Sequence, residues 1–205
     1  MNTLTDIINK VQGKYIQCLL NKIDVPAKLQ AQYSAIEVLK NARNESFFDY
    51  LKAVSTLKYG SYPEEKEQIV RETVAGLLQH SFDEKQPALL LGKIQSGKTD
   101  TFESIIGLAF DNDVQISVVI TKGVNTLAEQ TISRLRQDLE YMVAADKVTI
   151  FDILLGDTSN LQYDAEHKKI IIVCKKEAAN LEALKTLFKK NEFLRSKKVL
   201  LVDDE

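Results

Sequence analysis

Eight consecutive residues in the middle of the chain have the types and spacing that bind phosphate groups. They read GKIQSGKT from Gly92 to Thr99 and fit the pattern of glycine, four residues, glycine, lysine, then serine or threonine. The glycines, Gly92 and Gly97, let the backbone turn tightly and bring its N–H groups against phosphate oxygens. Lys98 supplies positive charge for the β and γ phosphates, and Thr99 supplies a hydroxyl for magnesium. The segment therefore predicts a nucleoside triphosphate site with Mg²⁺.

The neighbours of this loop favour the same chemistry. A short apolar run at 88–91 precedes it and predicts a strand, and a helix is predicted to begin near residue 98. That order puts a helix N-terminus, with its partial positive charge, at the same anion site. A glycine-bearing turn with an exposed lysine is the alternative interpretation. The residues predicted to contact the nucleotide, taken as ATP, are Gly92, Gln95, Ser96, Gly97, Lys98, Thr99 and Asp100.

A second acidic element follows the last apolar run, in the sequence LVDDE at 201–205. Magnesium bound through one hydroxyl and phosphate oxygens also needs a protein carboxylate. Acids that end an apolar strand at the carboxyl edge of a parallel sheet face the same crevice as a phosphate loop. A solvated acidic segment is the alternative.

Short apolar runs alternate with amphipathic segments from residue 87 onward, which is typical of a parallel sheet with crossover helices. Five strands are predicted, at 88–91, 116–120, 148–151, 170–173 and 199–202. Helices are predicted near 98–110, 126–142 and 177–190, the second opened by a capping box of Thr126 with Glu129. The predicted fold class is α/β, with a parallel sheet of about five strands flanked by helices.

The first part of the chain is predicted to be helical, because no alternation of period two occurs before residue 58. Pro26 is predicted in the first turn of one helix, and Asn44 at the start of another. Gly60 and Pro63 interrupt helices, so a boundary is placed there. This gives an N-terminal helical region at 1–60 and a second domain at 61–205. A helix after the boundary, 64–79, is predicted to turn five apolar residues toward a core: Ile69, Val70, Val74, Leu77 and Leu78.

Composition excludes several other classes of protein. The 205 residues are 44% hydrophobic and carry a formal charge of -2, which fits a globular chain without a whole-chain preference for polyanions. Two distant cysteines, Cys18 and Cys174, and two histidines provide no disulfide or zinc spacing. Charged residues interrupt the N-terminal segment, and no apolar run reaches about 18 residues, so neither a signal peptide nor a membrane partner is predicted. A cytoplasmic location is expected.

Three segments together carry a family resemblance. GKIQSGKT, VVITKGVNTLAEQTISRL and LVDDE resemble motifs I, Ia and II of superfamily 2 helicases, over about residues 62–205. The QSGKT loop and the DDE end look most like the Z1-type ATPase domains of bacterial restriction and phage-defence proteins. The resemblance implies a RecA-like lobe that hydrolyses ATP in response to nucleic acid, with DNA favoured over RNA.

The resemblance also assigns roles to individual residues. It implies that Asp204 binds the magnesium together with Thr99 and that Glu205 is the base that activates water, while Lys98 completes the catalytic set. Asp203 stands at a position that is usually apolar in the family. The implied nucleic-acid contacts are Thr121, Lys122, Gly123, Lys175 and Lys176. The last two lie within a stretch, 168–198, that contains ten Lys or Arg and three Glu, although a basic run is usually a solvated face.

Departures from the family leave other functions open. Gln95 stands where many helicase loops have glycine, and Gln68 is the best of several poor choices for an adenine-reading glutamine. Such motors close ATP between two lobes, so a second RecA-like lobe, in cis or in trans, is a predicted partner, and this chain alone is expected to have little activity. The alternatives are a truncated, non-catalytic nucleotide-binding module and a P-loop small-molecule kinase.

Overall fold

A computed structural model describes residues 3–79, 98–154 and 161–204. The chain forms two compact units, Met1–Ala109 and Phe110–Glu205. The predicted strand at 88–91 and most of the predicted phosphate loop, 92–97, lie outside the described residues, as does Glu205.

The first unit is helical. Its helices are α1 (Leu4–Leu20), α2 (Ala27–Lys40), α3 (Phe47–Tyr59), α4 (Glu64–Gln79) and most of α5 (Lys98–Asp111). The helices predicted before residue 60, over 64–79 and near 98–110 are confirmed. The core of this unit is built mainly from α1, α2 and α3, with Leu4, Leu39, Tyr50 and Leu57 fully buried.

Side-chain caps decide where these helices begin. Thr3 and Asp6 form a capping box at the start of α1, with backbone-to-side-chain hydrogen bonds of 3.0 and 3.1 Å. The start predicted for the third helix at Asn44 is wrong, because Ser46 accepts a hydrogen bond from the Asp49 N–H and α3 begins at Phe47. Pro26 is the N-cap residue of α2 and not a residue of its first turn.

Helix α4 buries a narrower stripe than its sequence predicts. Val70 and Val74, four residues apart on one face, are buried. Ile69 and Leu78, both predicted to face a core, are 44% and 43% exposed. The prediction was wrong for these two residues, because Ile69 lies about 100° around the helix from Val70 and Leu78 stands in the last turn of α4.

The second unit contains a parallel sheet. Its strands are β1 (Ile116–Thr121), β2 (Val148–Asp152), β3 (Lys169–Lys175) and β4 (Val199–Asp204). Their order is β2-β3-β1-β4, and every pair is parallel. The helices of this unit are α6 (Asn125–Asp138), α7 (Glu140–Ala144), α8 (Leu161–His167), α9 (Ala178–Lys190) and α10 (Glu192–Arg195). The α/β class is confirmed, with four strands at the predicted positions.

One face of this sheet forms the main core of the second unit. Residues paired across parallel strands share a face, so Ile116, Val118 and Ile120 lie beside Ile170, Ile172 and Cys174. All six are buried, together with Leu194 of α10, and apolar side chains of α9 pack against them. A continuous apolar layer therefore covers this face of β1 and β3.

The start of α6 differs from the prediction. Thr126 was predicted to cap this helix, but α6 begins at Asn125 after Val124, whose backbone is extended and which offers no side-chain cap. The predicted capping box is wrong because the chain becomes helical before Thr126 is reached. A turn at Leu139 also divides the single helix predicted over 126–142 into α6 and α7.

Within the described ranges, no helix has both the length and the apolar character that crossing a membrane requires.

Replacing Gly107 with alanine should destabilise the protein, although alanine is the better helix former. Its added Cβ would lie 2.7 Å from Cδ1 of Leu51 and 3.2 Å from the backbone carbonyl of Phe47 in α3. Overpacking of this kind costs about 1–3 kcal/mol, which exceeds the gain of about 0.5–1 kcal/mol in helix propensity. Urea unfolding monitored by circular dichroism measures the difference.

Gly76→Ala in α4 is the matched control, because a Cβ there would meet nothing within 4 Å. This variant should be more stable than the natural sequence by about 0.5–1 kcal/mol. If both alanine variants are stabilised alike, the close approach of α5 to α3 at Gly107 is wrong.

Candidate functional site at the carboxyl edge of the sheet

Three neighbouring strands end at the same edge of the sheet. Thr121 at the end of β1 is in register with Lys175 of β3 on one side and with Asp204 of β4 on the other. Residues in register share a face, and adjacent strands lie about 4.8 Å apart, so these side chains form a row about 10 Å long. In open parallel sheets this edge is where ligands bind. We call Lys175, Thr121 and Asp204 the edge row.

The two described acids at the end of β4 have different surroundings. Asp203 is in register with Ile120, on the opposite face from Asp204, because successive side chains alternate along a strand. The Asp203 carboxylate accepts a hydrogen bond of 2.9 Å from Nζ of Lys176. The Asp203 carboxylate is therefore paired with a lysine, and Asp204 stands beside Thr121 on the other face of the sheet. The metal-binding role of Asp204 stays a prediction.

The turns that follow β1 and β3 pack against each other. The N–H of Lys176 donates to the carbonyl oxygen of Thr121 over 2.7 Å. A Cβ on Gly123 would lie 3.0 Å from Cγ of Glu177 and 3.5 Å from the carbonyl oxygen of Lys176, so a larger residue would require the Glu177 side chain to shift. The second unit thus brings together all five residues predicted to contact nucleic acid: Thr121, Lys122, Gly123, Lys175 and Lys176.

These five residues are not equally accessible. Thr121 is 2% exposed, while Lys122 and Gly123 are exposed. The Lys175 side chain is 15% exposed and lies 3.5 Å from a Glu177 carboxylate oxygen, whereas that of Lys176 is 43% exposed. Lys122 and Lys176 therefore present most of the positive charge that solvent reaches at this edge.

The predicted nucleotide contacts belong to the first unit or lie outside the described residues. Gly92, Gln95, Ser96 and Gly97 are outside. The backbone of Lys98 and Thr99 forms the beginning of α5, and their side chains are also outside the described part. Asp100 is described, and its carboxylate accepts hydrogen bonds from Oγ of Ser55, at 3.0 Å, and from Nζ of Lys66.

Sequence reasoning missed the two side chains that hold Asp100. Ser55 precedes it by 45 residues in α3, and Lys66 precedes it by 34 residues in α4. Neither residue belongs to a motif, and Lys66 stands in a charged first turn, EEKE, that reads as a solvated helix start. No signal in a single sequence distinguishes this lysine from its exposed neighbours.

The described residues include no group of three or more His, Cys, Asp or Glu side chains that could hold a metal ion. A magnesium ion that arrives with a nucleotide does not need such a group, because it takes one or two protein ligands and completes its shell with phosphate oxygens and water. The oxygen ligands predicted here, Thr99 and Asp204, are of the kind that magnesium prefers.

No protein-family model, curated protein or solved structure matches this chain. The resemblance to superfamily 2 helicases therefore rests on the three sequence motifs alone.

The two cysteines should differ sharply in reactivity. Cys174, next to Lys175 in β3, is 0% exposed, and burial raises the pKa of its thiol to about 11, with a smaller contribution from the Asp152 carboxylate. The thiolate is the reactive form, so at pH 8 roughly one molecule in a thousand carries it at this position. Cys18 in α1 is partly exposed. We expect dithionitrobenzoate to label one thiol in the folded protein and both in urea.

Cys18→Ser is the control for this experiment, and it should remove the fast reaction. Rapid labelling of the folded Cys18→Ser variant would contradict the buried position of Cys174 at the end of β3.

Proposed function

We propose that this chain is the ATP-binding lobe, RecA-like in fold, of a helicase-like ATPase that acts on nucleic acid. The edge row is the observation that carries the proposal. A carboxylate and two lysine-bearing turns meet at the carboxyl edge of a parallel sheet, where this class of site is built. The sequence GKIQSGKT, which leads into α5, separately has the phosphate-binding pattern.

Each residue of the proposed site has a defined chemical task. Lys98 offsets the negative charge of the β and γ phosphates, and the loop backbone before it donates N–H groups to their oxygens. From the resemblance of the sequence motifs alone, Thr99 and Asp204 are proposed as ligands of Mg²⁺, which would supply further neutralisation of the phosphates when bound. Glu205 accepts the proton of the attacking water, as a carboxylate adjacent to a metal-binding aspartate can.

Nucleic acid is proposed to bind at the turns after β1 and β3. Lys122 and Lys176 provide exposed charge for phosphates, and the packing of the two turns fixes the spacing between them. A second RecA-like lobe, in the same chain or another, would complete the nucleotide site, since phosphoryl transfer in such motors uses an arginine from outside the first lobe. DNA is the favoured substrate, in a restriction or phage-defence setting.

Lys98→Ala should abolish most of the magnesium-dependent binding of ATP. A hydrogen bond to a charged group contributes about 1.5–3 kcal/mol, so the loss should be at least about tenfold in Kd. Isothermal titration calorimetry with ATP and Mg²⁺ measures it. Lys185→Ala is the matched control, because this lysine lies on α9 with a side chain that is 55% exposed.

The absence of ATP binding by the unaltered protein would contradict the proposed function. The protein could instead bind ATP without hydrolysing it, even with a second lobe present and whether or not single-stranded or duplex DNA is added. This result would favour the non-catalytic nucleotide-binding module.

Lys122→Ala and Lys176→Ala should each weaken the binding of single-stranded DNA and make it less sensitive to salt. Removal of one phosphate contact should reduce the slope of log K against log salt by about 0.7. Fluorescence anisotropy with a labelled oligonucleotide over a range of salt concentrations measures the slope. Lys185→Ala should leave it unchanged, and equal effects of all three changes would show that the contact is not localised to the two turns.

A further inference from the structure

The first turn of α5 is tied to two earlier helices through a single carboxylate. Asp100 accepts hydrogen bonds from Ser55 of α3 and from Lys66 of α4. Ser55 is 1% exposed, and the side chains of Lys66 and Asp100 are 14% and 15% exposed. Water therefore competes weakly for these groups, and the contact fixes α5 against α3 and α4 more firmly than an exposed ion pair would.

Surrounding groups restrict the same lysine further. The Lys66 ammonium lies 4.5 Å from the centre of the Tyr62 ring, a distance at which a cation is attracted to an aromatic face. Burial raises the pKa of Tyr62 to about 12, and the nearby carboxylates of Asp100 and Glu67 add to the effect. The Tyr62 phenol is thus neutral near pH 7. The negatively charged partner of Lys66 is therefore the Asp100 carboxylate.

The position of Asp100 in the sequence gives this pair a second consequence. Asp100 follows Lys98 by two residues, so an unpaired carboxylate there would repel a triphosphate held at the start of α5. The Lys66 ammonium neutralises that charge. The pair therefore combines two effects: it holds the first turn of the helix, and it removes a repulsion that would oppose phosphate binding.

We propose that Asp100, held by Lys66 and Ser55, is a positioning residue that fixes the backbone turn carrying Lys98 and Thr99 for the phosphates of ATP. This inference rests on the proposed function. It gives α3 and α4 a role that the sequence does not indicate, since they become the support of the nucleotide site. In this proposal Asp100 acts through the helix start, in place of the direct nucleotide contact that the sequence predicts for it.

Asp100→Asn and Lys66→Met test the proposal through the affinity for ATP with Mg²⁺. Each change should weaken binding about tenfold or more, because a small displacement of positioned groups has an effect of this order. Lys66→Arg preserves the charge and should restore affinity to within about threefold of the unaltered protein. The double variant Lys66→Met/Asp100→Asn, which restores neutrality without the anchor, should remain weak.

The Asp100→Asn result separates positioning from simple charge. If Asp100 only placed a negative charge near the phosphates, its removal would tighten ATP binding, whereas loss of an anchor weakens it. Lys52→Met is the matched control for stability: Lys52 joins α3 to Glu67 of α4 over 2.6 Å without contacting Asp100. Its unfolding midpoint should also fall, though by less because this pair is more exposed, while its Kd for ATP stays within about twofold.

The outcomes distinguish the inference from the function on which it rests. One outcome is that Lys98→Ala loses affinity for ATP while Asp100→Asn and Lys66→Met keep or increase it. This outcome would overturn the positioning role and leave the proposed function standing. Equal loss of affinity in Lys52→Met would also overturn it, because the effect would then be one of general stability. No binding by the unaltered protein would reject the proposed function and the inference together.

Discussion

The parallel pairing of β1 with both β3 and β4 is the constraint on which the second unit depends. β1 is buried along its whole length, so the strands on both sides must satisfy its backbone hydrogen bonds. Parallel neighbours in this register bring every carboxyl end to one edge. Polar residues that would be scattered by antiparallel pairing are thereby gathered into the row formed by Lys175, Thr121 and Asp204.

The strands were the part of the fold that the sequence predicted best. Runs such as Ile170 to Val173 are apolar and mostly β-branched, and a strand buried on both faces requires such a run. Helix boundaries were predicted less well, because a cap depends on where the chain turns. Ser46 caps α3 and was not predicted, while Thr126 has the sequence of a cap and lies inside α6.

The sequence could predict the positions of candidate-site residues only where those residues lie at the end of a strand. Strand ends are local features, so Thr121, Lys175 and Asp204 could be assigned to one edge before their register was known. The anchor of Asp100 could not be predicted, because its partners lie 45 and 34 residues away and are brought near by the packing of α3, α4 and α5. Pairing of Asp203 with Lys176 was likewise invisible, since two adjacent aspartates look alike in a sequence.

Charge neutralisation by a nearby partner recurs in both units. Lys176 pairs with Asp203, Lys175 lies near Glu177, and Lys66 pairs with Asp100. The first of these pairs is half exposed, so it contributes little to stability and an incoming phosphate can take the place of its carboxylate at small cost. The pair of Lys66 with Asp100 is largely buried, and removing one partner would leave the charge of the other buried and unsolvated. Exposure therefore separates Lys176, whose pairing with Asp203 is easily exchanged, from Lys66, whose pairing with Asp100 is shielded from solvent.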